Sequence, residues 1–377
     1  MASLLIRHLS KSFGDSDTGV HALDDVNLAV EDGELLVLLG PSGSGKTTLL
    51  RAIAGLARPS GGQILLNGSA VYDDAAVIEL PPNRRGLGMV FQNFALWPHM
   101  TVRENVAYPL KIQRMKREAC DARVAEVLDL VHCRPLAGRL PSTLSGGQQQ
   151  RIALARALAG RPSLILFDEP LSNLDALLRV ELREQLRLIH RQTRFTGVYV
   201  THDQAEALTL GDRICIMRAG RIEQIGTPDD VYRRPATAFV AAFLGMTNCV
   251  NVRGDGGAWT SDVGCVVDRG MLPAGPEEGL TIRFRPDSLV ICRRGATPIP
   301  PTAGATLTIE QLTVVDRIFN GEQIDYLLKA GDRLLKGRAV SAADRFDVGD
   351  EVEARIDGTR TAIFATPAPN GPAAGMC

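Results

Sequence analysis

No apolar run in this chain approaches the roughly 18 residues that a membrane-spanning helix needs. The longest pure stretches, such as Leu35-Leu36-Val37-Leu38-Leu39, have the length of buried strands. The opening Met1-Ala2-Ser3-Leu4-Leu5-Ile6-Arg7-His8 lacks the charged-then-apolar build of a signal peptide. These absences predict a cytoplasmic chain whose role at a membrane, if it has one, comes through a partner. There is no excess of one charge either: 42 basic side chains face 43 acidic ones, a formal net charge of −1. Nucleic-acid binders usually carry a basic surplus, so the balance speaks against such a partner. The seven cysteines, scattered from Cys120 to Cys377, include no Cys-x-x-Cys pair. They read as free thiols rather than a metal or redox site. No internal repeat is visible.

At 377 residues, 45% apolar and 23% charged, the chain is long enough for two ordinary globular domains. Up to about residue 235, short apolar runs alternate with helical patterns, the mark of an α/β domain. The runs at 35–39, 164–167 and 198–201 lack polar alternation, as strands buried on both faces of a parallel sheet do. Each runs into a polar or glycine-rich element: Gly40 onward, Asp168-Glu169, and His202-Asp203. Ligands of open α/β sheets bind beyond the carboxyl ends of the strands, so three strands deliver chemistry to one edge. Residues 93–160 turn helical, with apolar positions three and four apart, and read as an insertion into the first domain (1–235). A short helical stretch at 239–244 then leads into glycine- and proline-punctuated runs at 280–285, 288–292, 305–315, 324–328, 351–356 and 361–365. This spacing predicts a small all-β domain over 236–366, a barrel (OB-like) or a sandwich. A disordered tail is expected at 367–377.

Gly40-Pro41-Ser42-Gly43-Ser44-Gly45-Lys46-Thr47-Thr48 fits the P-loop pattern between a buried strand and a helix. Its glycines let backbone N–H groups turn inward around phosphate oxygens, and the helix beginning near Lys46 adds its positive end. Lys46 supplies charge to the β- and γ-phosphates of ATP, and the Thr47 hydroxyl is placed to ligate Mg²⁺. At the end of a second strand, Asp168 can hold Mg²⁺, and the adjoining Glu169 is assigned as the base or water-positioning group. Without the P-loop, an Asp-Glu pair after a strand would be only a solvated loop.

In Leu144-Ser145-Gly146-Gly147-Gln148, Ser145 and Gln148 form a capping box that starts a helix, which stops at Gly160. The plain reading is a well-capped helix. Two glycines in its first turn cost helix stability, roughly 1 kcal/mol each relative to Ala. They strip side chains from an anion-binding helix end, so something is expected to approach that backbone closely.

On these residues the chain, from 1 to about 235, resembles the ATP-binding subunits of ABC transporters. The resemblance implies that Ser145, Gly146, Gly147 and Gln148 contact the γ-phosphate of ATP held by a second copy in a head-to-tail homodimer. It implies adenine stacking on Phe13, contact of Gln92 with Mg²⁺ and the attacking water, and a dimer-contacting D-loop at Ser172-Asn173-Leu174-Asp175. It makes His202 the switch histidine that senses the γ-phosphate. Phe94-Ala95-Leu96-Trp97-Pro98-His99-Met100 is implied to meet transmembrane permease subunits, the alternative being a place in the core of the helical insertion. The later β-rich part resembles the accessory domain of importer ATPases in the maltose, polyamine and ferric-iron group, through Arg283-Phe284-Arg285-Pro286-Asp287. That implies import, with an external solute-binding protein as a further partner, at the cytoplasmic face of the membrane. Ferric iron or polyamine is favoured over sugar as solute. The competing reading is a soluble ABC ATPase of translation or DNA repair. Such proteins commonly carry two ATPase modules or a long coiled coil, whereas this chain has one P-loop and no sustained heptads.

Overall fold

The structure, a computed structural model, describes residues 2–14, 20–255, 258–267, 270, 272, 279–295, 306–340 and 345–366. The tail expected at 367–377 lies outside them. The chain forms two compact units, Met1–Val231 and Tyr232–Cys377.

In the first unit Leu35–Leu39, Leu164–Asp168 and Gly197–Thr201 are buried at every position. They belong to a six-stranded sheet ordered Arg221–Gly226, Arg213–Arg218, Leu35–Leu39, Gly197–Thr201, Leu164–Asp168, Leu87–Val90. Neighbours pair parallel except for the hairpin strand Arg221–Gly226. This is the doubly covered sheet that unbroken apolar runs require. The register sets Leu39 beside Thr201 and Asp168 beside Val200, so the chain leaves these three strands at one edge.

A second, antiparallel sheet runs Val20–Glu31, Ala2–Phe13, Gly61–Leu66, Ser69–Asp73, Ile78–Glu79. Sequence reading does not separate it from the first, because its long strands are bulged and their alternation breaks. One core joins both sheets to the helix Lys46–Ala54, through Leu4, Val26, Leu36, Leu38, Leu50 and Leu166 among others. Between Leu87–Val90 and Leu164–Asp168 stand the helices Val102–Ile112, Arg117–Leu130 and Gly146–Ala159.

Among the described residues the second unit has the helix Ala238–Phe243 near its start and is mainly β beyond it. Its smaller sheet is ordered Ala258–Ser261, Asn248–Asp255, Leu280–Phe284, Thr361–Ala365. The larger contains Leu289–Arg293, Glu351–Asp357, Thr306–Phe319, Gln323–Ala330 and Arg333–Val340, with Cys265–Val267 paired to Thr306–Phe319. All six strands read from the sequence are present. Four more among the described residues escape it, including Arg333–Val340, whose exposed face carries Leu334, Lys336 and Arg338 and whose interior includes Gly337. Arg285, in the Arg-Pro-Asp segment, donates to the carbonyls of Tyr232 (2.7 Å) and Leu244 (3.2 Å) and lies 3.6 Å over the Tyr232 ring. The segment therefore pins the start of the unit to its sheet.

Among the described residues no helix is long and apolar enough to cross a membrane. Cys120, Cys133, Cys215, Cys265 and Cys292 are free thiols as expected, whereas Cys249 is disulfide-bonded.

Leu38 is fully buried where both sheets and the helix meet. Leu38→Ala should cost the first unit about 3 kcal/mol, as a lowered denaturant midpoint for the unfolding of that unit. A midpoint unchanged from the parent would contradict this packing.

Candidate nucleotide site

The P-loop leaves Leu35–Leu39 and enters the helix Lys46–Ala54 through Gly45, whose φ of +101° is left-handed. A Cβ there would run into the carbonyl oxygen of Ala22, so glycine is required on two counts. Gly43, at φ +78°, has no atom within 4 Å of where its Cβ would stand. The loop is thus closed against the protein at Gly45 and open at Gly43. Pro41, Ser42 and Gly43 are exposed, Ser44 and Lys46 are buried, and Thr47 and Thr48 are half-buried. The Lys46 ammonium donates to the carbonyls of Gly40 (2.8 Å) and Pro41 (2.9 Å) and to Ser44 Oγ (3.4 Å). Burial pushes its pKa down, and the nearby Glu169 carboxylate partly opposes this. A buried cation solvated by neutral carbonyls gains most from an added anion.

Asp168 closes its strand with 9% of its surface exposed. Burial and the neighbouring Glu169 push its carboxyl pKa up, against Arg51, which lowers it. A cation at this carboxylate would relieve that penalty. Glu169 has a φ of +44°, a left-handed conformation that costs a non-glycine residue about 1–3 kcal/mol. Neighbours hold it there: its N–H donates to Val200 O (3.2 Å), and its carbonyl accepts from the Ser172 N–H (3.2 Å) and hydroxyl (2.9 Å). The twist turns its side chain to His202, whose Nδ1 lies 3.0 Å from Oε2. An ionised carboxylate can only accept, which puts the imidazole hydrogen on Nδ1.

Gln92 is exposed and touches the D-loop: its Nε2 donates to Asn173 Oδ1 (3.4 Å), and Asn173 Nδ2 donates to its carbonyl (3.1 Å). Ser172 braces Glu169, Leu174 is buried, and the Asp175 carboxylate caps the helix Ala176–Thr193 by accepting from the Leu178 N–H (3.0 Å). Phe13 ends its strand 53% exposed, with the Lys11 ammonium 4.8 Å from the ring centroid.

Ser145 and Gln148 make the expected reciprocal capping box, Ser145 Oγ accepting from the Gln148 N–H at 3.3 Å and Gln148 Oε1 from the Ser145 N–H at 3.1 Å. The two glycines have a local explanation as well. A Cβ on Gly146 would meet Leu174 Cδ2 at 3.1 Å, and one on Gly147 would meet Leu178 Cδ1 at 2.9 Å. The close approach inferred from the glycines is therefore made, within this chain, by leucines of the D-loop and its helix. Ser145 itself remains exposed.

The donors offered for Mg²⁺, the Thr47 hydroxyl, the Asp168 carboxylate and the Gln92 amide oxygen, are hard oxygens. That suits an ion that keeps water and phosphate ligands and takes one carboxylate from a protein. Among the described residues no group of three or more His, Cys, Asp or Glu side chains converges as a metal cage. Sequence reading misses the arginines that brace the site. Arg85 donates through Nη1 to Ala52 O and Ile53 O (2.8 Å each), at the end of the P-loop helix. Arg156, inside the apolar run Ile152-Ala153-Leu154-Ala155-Arg156-Ala157-Leu158, binds two carbonyls of the segment after Gln92. A lone arginine on the buried stretch of a helix is the signal that could have found it.

Residues 23–172 match the ABC transporter family. The chain is 50% identical over 245 residues to the trehalose/maltose import ATP-binding protein of Thermococcus litoralis, an alignment that spans 65% of each chain. It is 40% identical over 363 residues to the sn-glycerol-3-phosphate import ATP-binding protein of Burkholderia cenocepacia, covering 91% of this chain and 95% of that one. A solved dimeric ATP-binding cassette, in a post-hydrolysis state with ADP and Pi, superposes with a TM-score of 0.51 at 34% identity, over 60% of this chain and 98% of its own.

Replacing Lys46 with Ala removes the buried cation and should weaken ATP binding by about 3 kcal/mol, roughly 100-fold. Equilibrium titration with a fluorescent ATP analogue reads this, and unchanged affinity would remove Lys46 from the site.

Proposed function

This chain belongs to the ABC transporter family as an importer ATPase, and from that premise we propose how its residues divide the work of hydrolysis and what it assembles with. The carrying observation is that Lys46, Asp168 and the Glu169–His202 pair gather at one edge of the parallel sheet, while Ser145, Gly146 and Gly147 begin a separate helix. Each copy thus holds two half-sites. ATP lies between the P-loop of one copy and the Ser145–Gln148 helix end of the other. The relative solved as a dimer with ADP and Pi supports such a pair.

In this arrangement Phe13 stacks on adenine, the N–H groups of residues 40–48 and the Lys46 ammonium bind the phosphates, and Thr47, Asp168 and Gln92 hold Mg²⁺, which supplies neutralising charge. Glu169 orients the attacking water and takes its proton as the bond from the γ-phosphorus to ADP breaks. His202, hydrogen-bonded to Glu169, fixes the carboxylate and meets the γ-phosphate. The D-loop, residues 172–175, touches both Glu169 and Gln92 and faces the second copy. Loss of the γ-phosphate removes the bond between half-sites and releases the pair.

The pair acts at the cytoplasmic face of a membrane, on transmembrane permease subunits that meet the segment 94–100, with an external solute-binding protein delivering the cargo. Residues 1–235 carry the ATPase with its helical part at 93–160, and 236–366 form an accessory domain that reinforces or regulates the pair. The preference for ferric iron or polyamine is corrected: the relatives aligned over most of this chain are named for sn-glycerol-3-phosphate import, and another for trehalose/maltose. We take the solute to be a sugar or a glycerol phosphate. Their import names also weigh against a soluble role in translation or DNA repair.

Glu169→Gln should lower kcat by about 10²–10⁴ while ATP stays bound and the pair persists on gel filtration. Normal turnover would assign the water to another group. Ser145→Arg should abolish hydrolysis with ATP affinity of the single subunit unchanged; a fully active variant would contradict the shared site. In the complex with its permeases and binding protein, sn-glycerol-3-phosphate or maltose should stimulate ATPase activity, and a response only to other solutes would overturn the solute class.

A further inference from the structure

The segment after Gln92 is neither core nor free loop. Phe94 and Ala95 both have left-handed backbone, φ +61° and +49°, although neither is glycine. Their carbonyls converge on one side chain: Arg156 donates through Nη2 to Phe94 O (3.0 Å) and through Nη1 to Ala95 O (2.6 Å). The guanidinium carbon lies 4.9 Å from the Trp97 ring centroid, and Trp97 packs on Tyr108 with ring centroids 4.2 Å apart. Burial pushes the Arg156 pKa down to about 10, and the residue stays a cation at neutral pH. A second anchor holds the other end. Fully buried Asn105 accepts from the Trp97 N–H (2.9 Å) and donates to the carbonyls of Trp97, Met100 and Thr101 (3.1 Å each).

Arg156 stands on the helix Gly146–Ala159, which Ser145 caps. Arg156 lies eleven residue steps along the helix from Ser145, about 16 Å at 1.5 Å per residue. A helix of this length moves as a rod, and the forked guanidinium fixes direction as well as distance. A shift at the Ser145 end therefore reaches Phe94 and Ala95 through two short bonds. Their left-handed backbone has the ordinary right-handed region as an alternative state to which it can relax.

We propose that Arg156 is a positioning residue that carries the displacement of the Ser145 helix end, on closing over nucleotide, to the half-buried segment 94–97. The inference rests on the reading of Ser145 as the surface that meets the second copy's phosphates. It assigns transmission to one side chain outside the residues proposed above to meet nucleotide or permease.

Trp97 reports on its own segment. The chain has two tryptophans, so Trp259→Phe leaves Trp97 as the sole emitter. In the full chain carrying Trp259→Phe and Glu169→Gln, ATP with Mg²⁺ should drive pairing and shift the Trp97 emission. Adding Arg156→Lys, whose single ammonium cannot span both carbonyls in the fork geometry, should leave pairing within about twofold and abolish most of the shift. A full shift in the lysine variant, or loss of pairing there with native thermal stability, would overturn the proposal. Failure of the Arg156-intact chain to pair on ATP would instead overturn the shared-site reading beneath it. Should the lysine variant not fold, amide exchange across 93–100 in the Arg156-intact chain decides: protection must change when ATP is trapped, and no change refutes the latch.

Discussion

Because the central strands of the parallel sheet are buried at every position, a charged side chain has nowhere to stand along their length and must wait for the carboxyl edge. Asp168 takes the last strand residue, and Glu169 and His202 the first positions beyond their strands. The P-loop helix begins from the same edge, so Lys46 and the acidic pair share one small volume without any contact that a water-filled cleft would have to preserve. The Glu169 carboxylate accordingly acts on both, opposing the effect of burial on Lys46 and adding to it on Asp168.

What the edge cannot supply, short braces do. Glu169 is held left-handed by Val200 on one side and Ser172 on the other. Gln92 and Asn173 are tied by two hydrogen bonds. Glu169, the loop 172–175 and Gln92 thus form one connected path in which each member limits the next. A path of this kind converts a local change at the phosphate end into a change of position elsewhere, since close-packed parts have few intermediate arrangements.

Much of this was legible in the residues. Unbroken runs identified the parallel strands, the glycine pattern identified the phosphate loop, and the serine–glutamine spacing identified the capped helix. Less legible were features whose cause lies far along the chain. The first antiparallel sheet was hidden because bulges in Ala2–Phe13 and Val20–Glu31 disturb their period of two. Arg333–Val340 was hidden because its outward face carries basic residues and its interior holds a glycine. Arg85 looks like an ordinary surface arginine until folding brings it the carbonyls it binds, and Arg156 is marked only by standing alone in an apolar run. The glycines at 146 and 147 clear side chains from the helix end, and Leu174 and Leu178 from the chain itself stand in that space.

That last contact ties two stretches of sequence into a single fitting. With Leu178 Cδ1 only 2.9 Å from where a methyl at 147 would sit, an added carbon at 147 makes the Leu178 side chain turn away or give up carbon of its own. Change at either of these two sites is therefore felt at the other, and a larger residue at 147 fits most easily where 178 shrinks. An engineer wishing to reshape the helix end would have to redraw the neighbouring D-loop helix in the same stroke.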